Sequence, residues 1–412
     1  SSGRFKLDCK DFEADLNQFK NIDMHNDVRK EILKGLKRMV IKIGSSIIAN
    51  RETGQASLVN GLNANNVRHV AETIRQVVDR DCEVVLVSSG AIMAGRERLD
   101  LHKANLSIPQ KQACAAIGQS YLMHTYEKKF KQQGIKVAQI LLGHDDLENR
   151  KRFLNAKHTL EALLEHKVVP IINENDSVTV DEIKIGDNDT LSATVACLLN
   201  AQLLIILSDV DGLYSRDPST KRREGDAPMK IIEHVDCITQ KIEKLAGRRN
   251  SNVTVGGMYT KVLAAKQTMS FGIPTLIVNG FDNNIADKIY KGESVGTLFW
   301  AGKEKINKRK HWIAHTLKPS GQITVDSGAG KAIVSRGKSL LPAGVIKIEG
   351  KFEFGTVVRV LEEDGTEIAR GLVNYNFRDL EKIMGMRTGA VRKIFGDNFY
   401  NEVIHRDDLA LL

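Results

Sequence analysis

The chain of 412 residues is poor in aromatic side chains, at 5%, and poor in cysteine, with only five. Cys9, Cys82, Cys114, Cys197 and Cys237 are widely scattered and form no CxxC pair. An odd, dispersed set argues against a disulfide framework or a clustered zinc site and for a reducing, cytoplasmic setting. Long apolar runs are also missing. The densest, 203–207, is five residues long, against ~18 for a membrane span. The first residues are charged and lack the apolar stretch of a signal peptide, so the expectation is a cytoplasmic protein without a membrane partner. Familiar nucleotide motifs fail. Gly337-Lys338-Ser339 resembles the end of a P-loop, but Ala332 occupies the place of its first glycine. Gly328-Ala329-Gly330 lacks the third glycine of a dinucleotide fingerprint. His311 and His315 have metal-like spacing without the accompanying glutamate, and the catalytic motif of protein kinases is absent.

What the chain does have is aliphatic. Hydrophobic residues make up 42% and charged residues 27%, enough to bury a large core and to exclude a disordered class. At about 150 residues per domain the length suggests two or three units. The formal charge of +9 has a local origin. Residues 303–310 carry five basic side chains and one acidic, whereas 311–412 carry 14 basic against 13 acidic. Such a run reads as a solvated linker rather than a nucleic-acid site.

Short β-branched apolar runs at 39–43, 84–87, 135–142, 168–172, 203–207 and 275–278 read as strands. Between them, 65–78, 109–130, 150–166, 190–199 and 258–271 read as helices. This alternation predicts an α/β fold, a three-layer αβα sandwich around a mainly parallel sheet. Residues 1–38 read as an N-terminal extension with a surface helix. Residues 39–300 form the α/β domain, 301–318 a basic linker, and 319–412 a small β-rich domain. In the last, 357–361 and 366–370 flank Asp364-Gly365 as a hairpin.

Ligands of parallel sheets bind beyond the carboxyl ends of the strands, so chemistry is sought there. The first strand ends Lys42-Ile43-Gly44-Ser45-Ser46. A lysine inside an apolar strand is costly to bury unless an anion meets it; the alternative is an edge-strand lysine reaching water. The second ends Ser88-Ser89-Gly90-Ala91-Ile92, where Ser89 either faces an anion or merely caps a helix. The fourth runs into Asn173-Glu174-Asn175-Asp176, followed by Gly186-Asp187-Asn188-Asp189-Thr190. Two neighbouring turns so dense in carboxylates and amides point to a substrate ammonium, a Mg²⁺ ion or lysines held in place. The fifth ends Ser208-Asp209, and Val255-Gly256-Gly257-Met258-Tyr259-Thr260-Lys261 opens a later helix. Two glycines and a lysine there suggest a phosphate cradle, against a plain exposed first-turn lysine.

Taken together and in this order, these stretches resemble the amino acid kinase family, over roughly 39–298, and within it the branch that phosphorylates glutamate. The stretch from about Gly321, with Ile323-Thr324-Val325-Asp326-Ser327-Gly328-Ala329 and Ser339-Leu340-Leu341-Pro342-Ala343-Gly344, resembles a PUA domain. Ser45 and Ser88 stand where the family usually has Thr, Val255 where Thr precedes the glycine pair, and Tyr259 where Ser is common. The resemblance implies ATP-dependent, Mg²⁺-assisted phosphorylation of the L-glutamate side-chain carboxylate, the first step of proline biosynthesis. It implies catalytic roles for Lys42, Lys261 and Asp189. It assigns glutamate to Ser89, Asp176, Asn188 and Asp187, and ATP to Lys42, Gly44, Ser208, Asp209 and the segment Val255, Gly256, Gly257, Met258, Tyr259, Thr260 and Lys261, with Mg²⁺ held through the ATP phosphates. It further implies a homo-oligomer, proline as feedback inhibitor and glutamyl-phosphate reductase as a partner. Related kinases acting on acetylglutamate, aspartate, carbamate or isopentenyl phosphate are the near alternatives. RNA binding by the PUA-like part is the distant one, disfavoured by its near-neutral charge.

Overall fold

The computed structural model describes residues 22–50, 61–101, 106–143, 146, 150–178, 188–216, 228–247, 257–300, 302, 319–353, 355–395 and 400–412. The chain divides into two compact units, Ser1–Lys303 and Glu304–Leu412.

In the first unit the elements follow as α1 (Ile22–Leu33), β1 (Arg38–Ile43), α2 (Ser45–Ile48), α3 (Ala64–Val78), β2 (Glu83–Ser88), α4 (Ala91–Arg98), α5 (Ile108–Gln132), β3 (Lys136–Leu142), α6 (Arg150–Glu165), β4 (Val168–Glu174), α7 (Asn188–Leu198) and β5 (Leu203–Ser208). There follow β6 (His234–Val235), α8 (Gln240–Leu245), α9 (Met258–Ser270), β7 (Thr275–Asn279), α10 (Ile285–Tyr290) and β8 (Thr297–Phe299). The strands form one sheet in the order β3-β4-β2-β1-β5-β7-β8-β6. Pairing is parallel from β3 to β7, and β8 then runs antiparallel to β7. This is the mainly parallel α/β sheet that the alternating pattern predicts.

Period-2 alternation divides the side chains of each central strand between two apolar cores. Met39, Ile41 and Ile43 face the layer of α3, α5 and α10. Val40 faces the opposite layer, with Leu191 and Val195 of α7 and Val262 of α9. Lys42, two residues after Val40, is directed by the same alternation toward α7 and α9. Strand β1 lies between β2 and β5, so Lys42 is at the centre of the sheet rather than at an edge. By contrast β3 is an edge strand, which is why its apolar-looking sequence is mostly half-exposed.

Helix α1 is more than a surface appendage. Val28, Ile32 and Leu33 pack against the first core. The Arg29 guanidinium is buried and donates to the carbonyls of Glu233 and Val295, at 2.9 and 2.6 Å. Burial lowers its pKa to about 10, with Glu233 opposing the shift. The helix expected before the first strand is present, with Lys30 and Glu31 exposed, and one buried cation ties it to the loops around β6 and β8.

The second unit has a five-stranded sheet, β10-β9-β11-β12-β13, from β9 (Gly321–Val325), β10 (Val345–Gly350), β11 (Val357–Leu361), β12 (Glu367–Leu372) and β13 (Leu409–Leu411). β11 and β12 pair antiparallel as the expected hairpin, with Gly365 in its turn at φ +88°. Helices α11 (Ser327–Arg336), α12 (Phe377–Ile383) and α13 (Thr388–Phe395) complete it. Its core is its own, with Ile323, Val325, Val358, Val360, Leu380 and Val391 among the buried residues. Gly337 of the P-loop-like stretch ends α11 in a left-handed conformation, a helix stop and not a phosphate turn.

Candidate active site

The strand order places the carboxyl ends of β4, β2, β1, β5 and β7 side by side, with β2 to β4 laid down on one flank of β1 before the chain crosses to β5 on the other. Ligand sites of open parallel sheets lie at such a point. Three charged residues meet there. Lys42 is 3% exposed, Asp189 0% and Lys261 5%. Lys42 Nζ is 2.5 Å from Asp189 Oδ1, and Lys261 Nζ is 3.2 Å from Asp189 Oδ2. Thr260 Oγ1 donates to the same Oδ2 at 2.7 Å. Burial alone would raise the Asp189 pKa, but Lys42, Lys261 and Thr260 together hold it below the usual carboxylate value.

The electrostatics are direct. Two ammonium groups share one carboxylate, leaving a net single positive charge among the three in a place shielded from water. Such a charge is costly unless an anion accompanies it. The bland readings of both lysines therefore fail: neither reaches bulk water, and neither is a surface residue.

A polar arc continues from this cluster across the sheet edge. Asn188, the residue before Asp189, donates through Nδ2 to Ser89 Oγ at 2.7 Å, Asn173 Oδ1 at 3.1 Å and the Ser88 carbonyl at 3.3 Å. Gly90 then turns the chain at φ +109°, where a Cβ would stand 2.9 Å from Ile48 Cδ1. Glycine alone allows that turn. Ser89 makes no cap on α4, whose N-cap is Gly90 with no side-chain bond. Asp176, beyond β4, is half-buried, and burial raises its pKa to about 6.

On the other flank Ser208 is buried, and its Oγ lies 3.5 Å from Asp209 Oδ1. The loop after them is tied to the end of β7 by Asn279 Nδ2 donating to Asp211 Oδ1 at 2.8 Å. Gly44 pairs its N–H with the Leu207 carbonyl at 3.4 Å, and its position is only 3.8 Å from Lys42 Nζ when a Cβ is built on it. Gly257 precedes α9 as its N-cap, and Met258 and Tyr259 pack half-buried on the second core. The structure thus gathers Lys42, Asp189, Thr260 and Lys261 directly. It gathers Ser89 and Asn188 beside them, with Gly44, Ser208 and Asp209 on the adjoining strand ends. Asp187, Val255 and Gly256 lie outside the described residues.

Sequence reasoning passed over two residues. Gln119 and Tyr126, seven apart on α5, both face the sheet. Gln119 Oε1 accepts from Asn173 Nδ2 at 2.8 Å, and the Tyr126 hydroxyl is 2.8 Å from Ser88 Oγ. The available signal was a pair of polar side chains two turns apart in a stripe otherwise made of Cys114, Ala115, Gly118, Leu122, Thr125 and Phe130.

Among the described residues, no group of three or more His, Cys, Asp or Glu side chains could hold a metal ion. The donors at the centre are ammonium groups with their one carboxylate enclosed, a set that suits phosphate oxygens. No described helix is long and apolar enough to cross a membrane.

The profile of the amino acid kinase family matches residues 37–279, and that of the PUA domain matches 321–395. Glutamate 5-kinase from Geobacter sulfurreducens is 50% identical over 385 residues, which is 93% of this chain and 100% of that protein. Glutamate 5-kinase from Thermoanaerobacter sp. (strain X514) is 46% identical over 375 residues, covering 91% and 98%. Among solved structures, carbamate kinase from Giardia lamblia aligns with a TM-score of 0.44 at 17% identity, over 65% of this chain and 99% of that one.

Proposed function

The chain belongs to the amino acid kinase family, and from that premise we propose that it transfers the γ-phosphoryl group of ATP to the side-chain carboxylate of L-glutamate. The products are L-glutamyl 5-phosphate and ADP, and the reaction opens proline biosynthesis. The observation that carries the reading is the buried Lys42–Asp189–Lys261 cluster adjoining the Ser89–Asn188 arc.

The chemistry asks little covalent work of the protein. A glutamate carboxylate, with an unperturbed pKa of about 4.3, is already a nucleophile at neutral pH. No general base is needed, which fits a centre built from lysines, a carboxylate and amides. One carboxylate oxygen forms the new P–O bond as the bond from the γ-phosphorus to the β,γ-bridging oxygen breaks, and the electron pair leaves with ADP. What remains is alignment and stabilisation of the charge on the migrating group. Lys42 and Lys261 would hold that group from two sides, and Asp189 would fix both ammonium groups. Ser89 and Asn188 would bind glutamate, with Asp176 and Asp187 beside them and Asp176 suited to the α-ammonium. Gly44, Ser208, Asp209 and the segment 255–261 would hold ATP. Mg²⁺, carried on the ATP phosphates, would neutralise part of their charge.

The likeness to glutamate 5-kinases also supports four proposals away from the site. These are a homo-oligomer, inhibition by proline, transfer of the labile product to glutamyl-phosphate reductase, and a cytoplasmic location. The reading is tested by ATP-dependent hydroxamate formation in hydroxylamine, with glutamate, acetylglutamate and aspartate as acceptors. Hydroxamate from glutamate alone is expected. A better rate with acetylglutamate or aspartate would transfer the protein to another branch of the family.

A further inference from the structure

We propose that Gln119 is a positioning residue that, acting through Asn173, locks the Asn188 amide so that its oxygen faces the bound substrate. The inference rests on the glutamate-kinase reading of the site and names a residue that reading does not use.

One backbone group at each end sets the sense of the relay, and Gln119 holds the Asn173 amide between the Glu174 N–H and α5, so that its Oδ1 stays aimed at Asn188. The Glu174 N–H can only donate, and it lies 2.9 Å from the Asn173 side chain, so the atom facing it is Oδ1. The Asn173 nitrogen is thereby turned toward α5, where Gln119 supplies an acceptor at 2.8 Å. At the other end of the relay the Ser88 carbonyl can only accept, so the Asn188 atom facing it is Nδ2. That same nitrogen meets Asn173 Oδ1 and Ser89 Oγ. Both ends agree, and each amide in the chain has one orientation.

The consequence falls on the one atom left over. Among the described residues Asn188 Oδ1 is buried and has no hydrogen-bond partner. A buried acceptor without a donor is costly, and it is satisfied when a ligand brings one. The relay therefore presents an oxygen, not an N–H, and selects a substrate that carries a donor there. A primary ammonium provides such a donor. Gln119 itself is buried, with a relative exposure of 8%. Tyr126, two helical turns further along α5, holds the Ser88 side chain in the same way.

The test compares Gln119→Leu with Gln119→Glu in the full chain, using glutamate as substrate and glutarate, the same skeleton without the ammonium, as a competing ligand. Leu removes the acceptor at similar volume, whereas Glu keeps an acceptor oxygen in either protonation state. Gln119→Leu is expected to raise the KM for glutamate about tenfold and to cut the preference for glutamate over glutarate by about the same factor. The KM for ATP should not change, and Gln119→Glu should restore the wild-type KM for glutamate. An unchanged KM and preference in Gln119→Leu would overturn the proposal. So would equal defects in the two variants, or a KM for ATP that rises in step. Should Gln119→Leu fail to fold, Gln119→Met, which keeps the length of the side chain, carries the same comparison. Absence of glutamate-dependent hydroxamate in the wild-type protein would instead sink the functional reading, before any variant is compared.

Discussion

At the scale of single residues the site is a contest between burial and charge, and the two carboxylates resolve it in opposite ways. Asp189 is enclosed, but its two lysine partners hold its pKa below the usual carboxylate value. Asp176 has burial as its only resolved influence, and its pKa rises to about 6. A raised carboxylate pKa means the folded protein binds the proton more tightly than the unfolded chain. Ionised Asp176 therefore destabilises the fold, with the effect growing from about pH 4 to about pH 6 and complete above that. Asp176→Asn is expected to melt higher than wild type at pH 7.5, with the advantage gone near pH 4. The same variant should raise the KM for glutamate at pH 7.5. In the wild type, kcat/KM for glutamate should fall below about pH 6, as the free enzyme protonates the group that would meet the substrate ammonium. Melting curves and pH-rate profiles of the two proteins check both halves.

At the scale of elements the glutamate side of the site depends on how closely two helices approach. α4 begins two residues after Ser89, at Ala91, and lies against α5. A Cβ on Gly118 would stand 1.8 Å from the Ala91 carbonyl, and one on Gly95 would stand 1.8 Å from the Cys114 carbonyl. Gly118→Ala must push α4 away, at a cost of about 1–3 kcal/mol or more. Because the Ser89–Gly90 turn starts that helix, the KM for glutamate should rise along with a lower melting temperature. Normal values for both would show that the helices yield without disturbing the turn. Most elements were legible from the sequence, because central strands buried on both faces are continuous in Val, Ile and Leu and the helices between them keep a regular apolar spacing. The strand end at Lys42 and the helix start at Lys261 were legible as sites of interest, but whether either reached water was not. That depended on strand order, a long-range property: β1 is central only because β2 and β5 both pair with it. The Gln119 relay was invisible for a related reason. It joins residues 54 and 15 positions apart, and only the folded sheet edge brings them within hydrogen-bond reach.

At the scale of the whole molecule, the described site residues all belong to the first unit, while the second has a separate core. Two units that share no core predict two calorimetric transitions. Glutamate with a non-hydrolysable ATP analogue should raise only that of the first unit, by about 2.7 kcal/mol at a hundredfold excess over Kd. A single transition shifted as one would mean that the units unfold together. The central claim is that Lys42 and Lys261 act on one phosphoryl group with Asp189 between them, and glutamate-dependent hydroxamate turnover of Lys42→Ala and Lys261→Ala tests it most directly. Each variant is predicted to remain folded and to lose about two orders of magnitude or more in kcat, as expected when a donor to transition-state charge is removed. Turnover near that of the wild type in either folded variant would contradict the account.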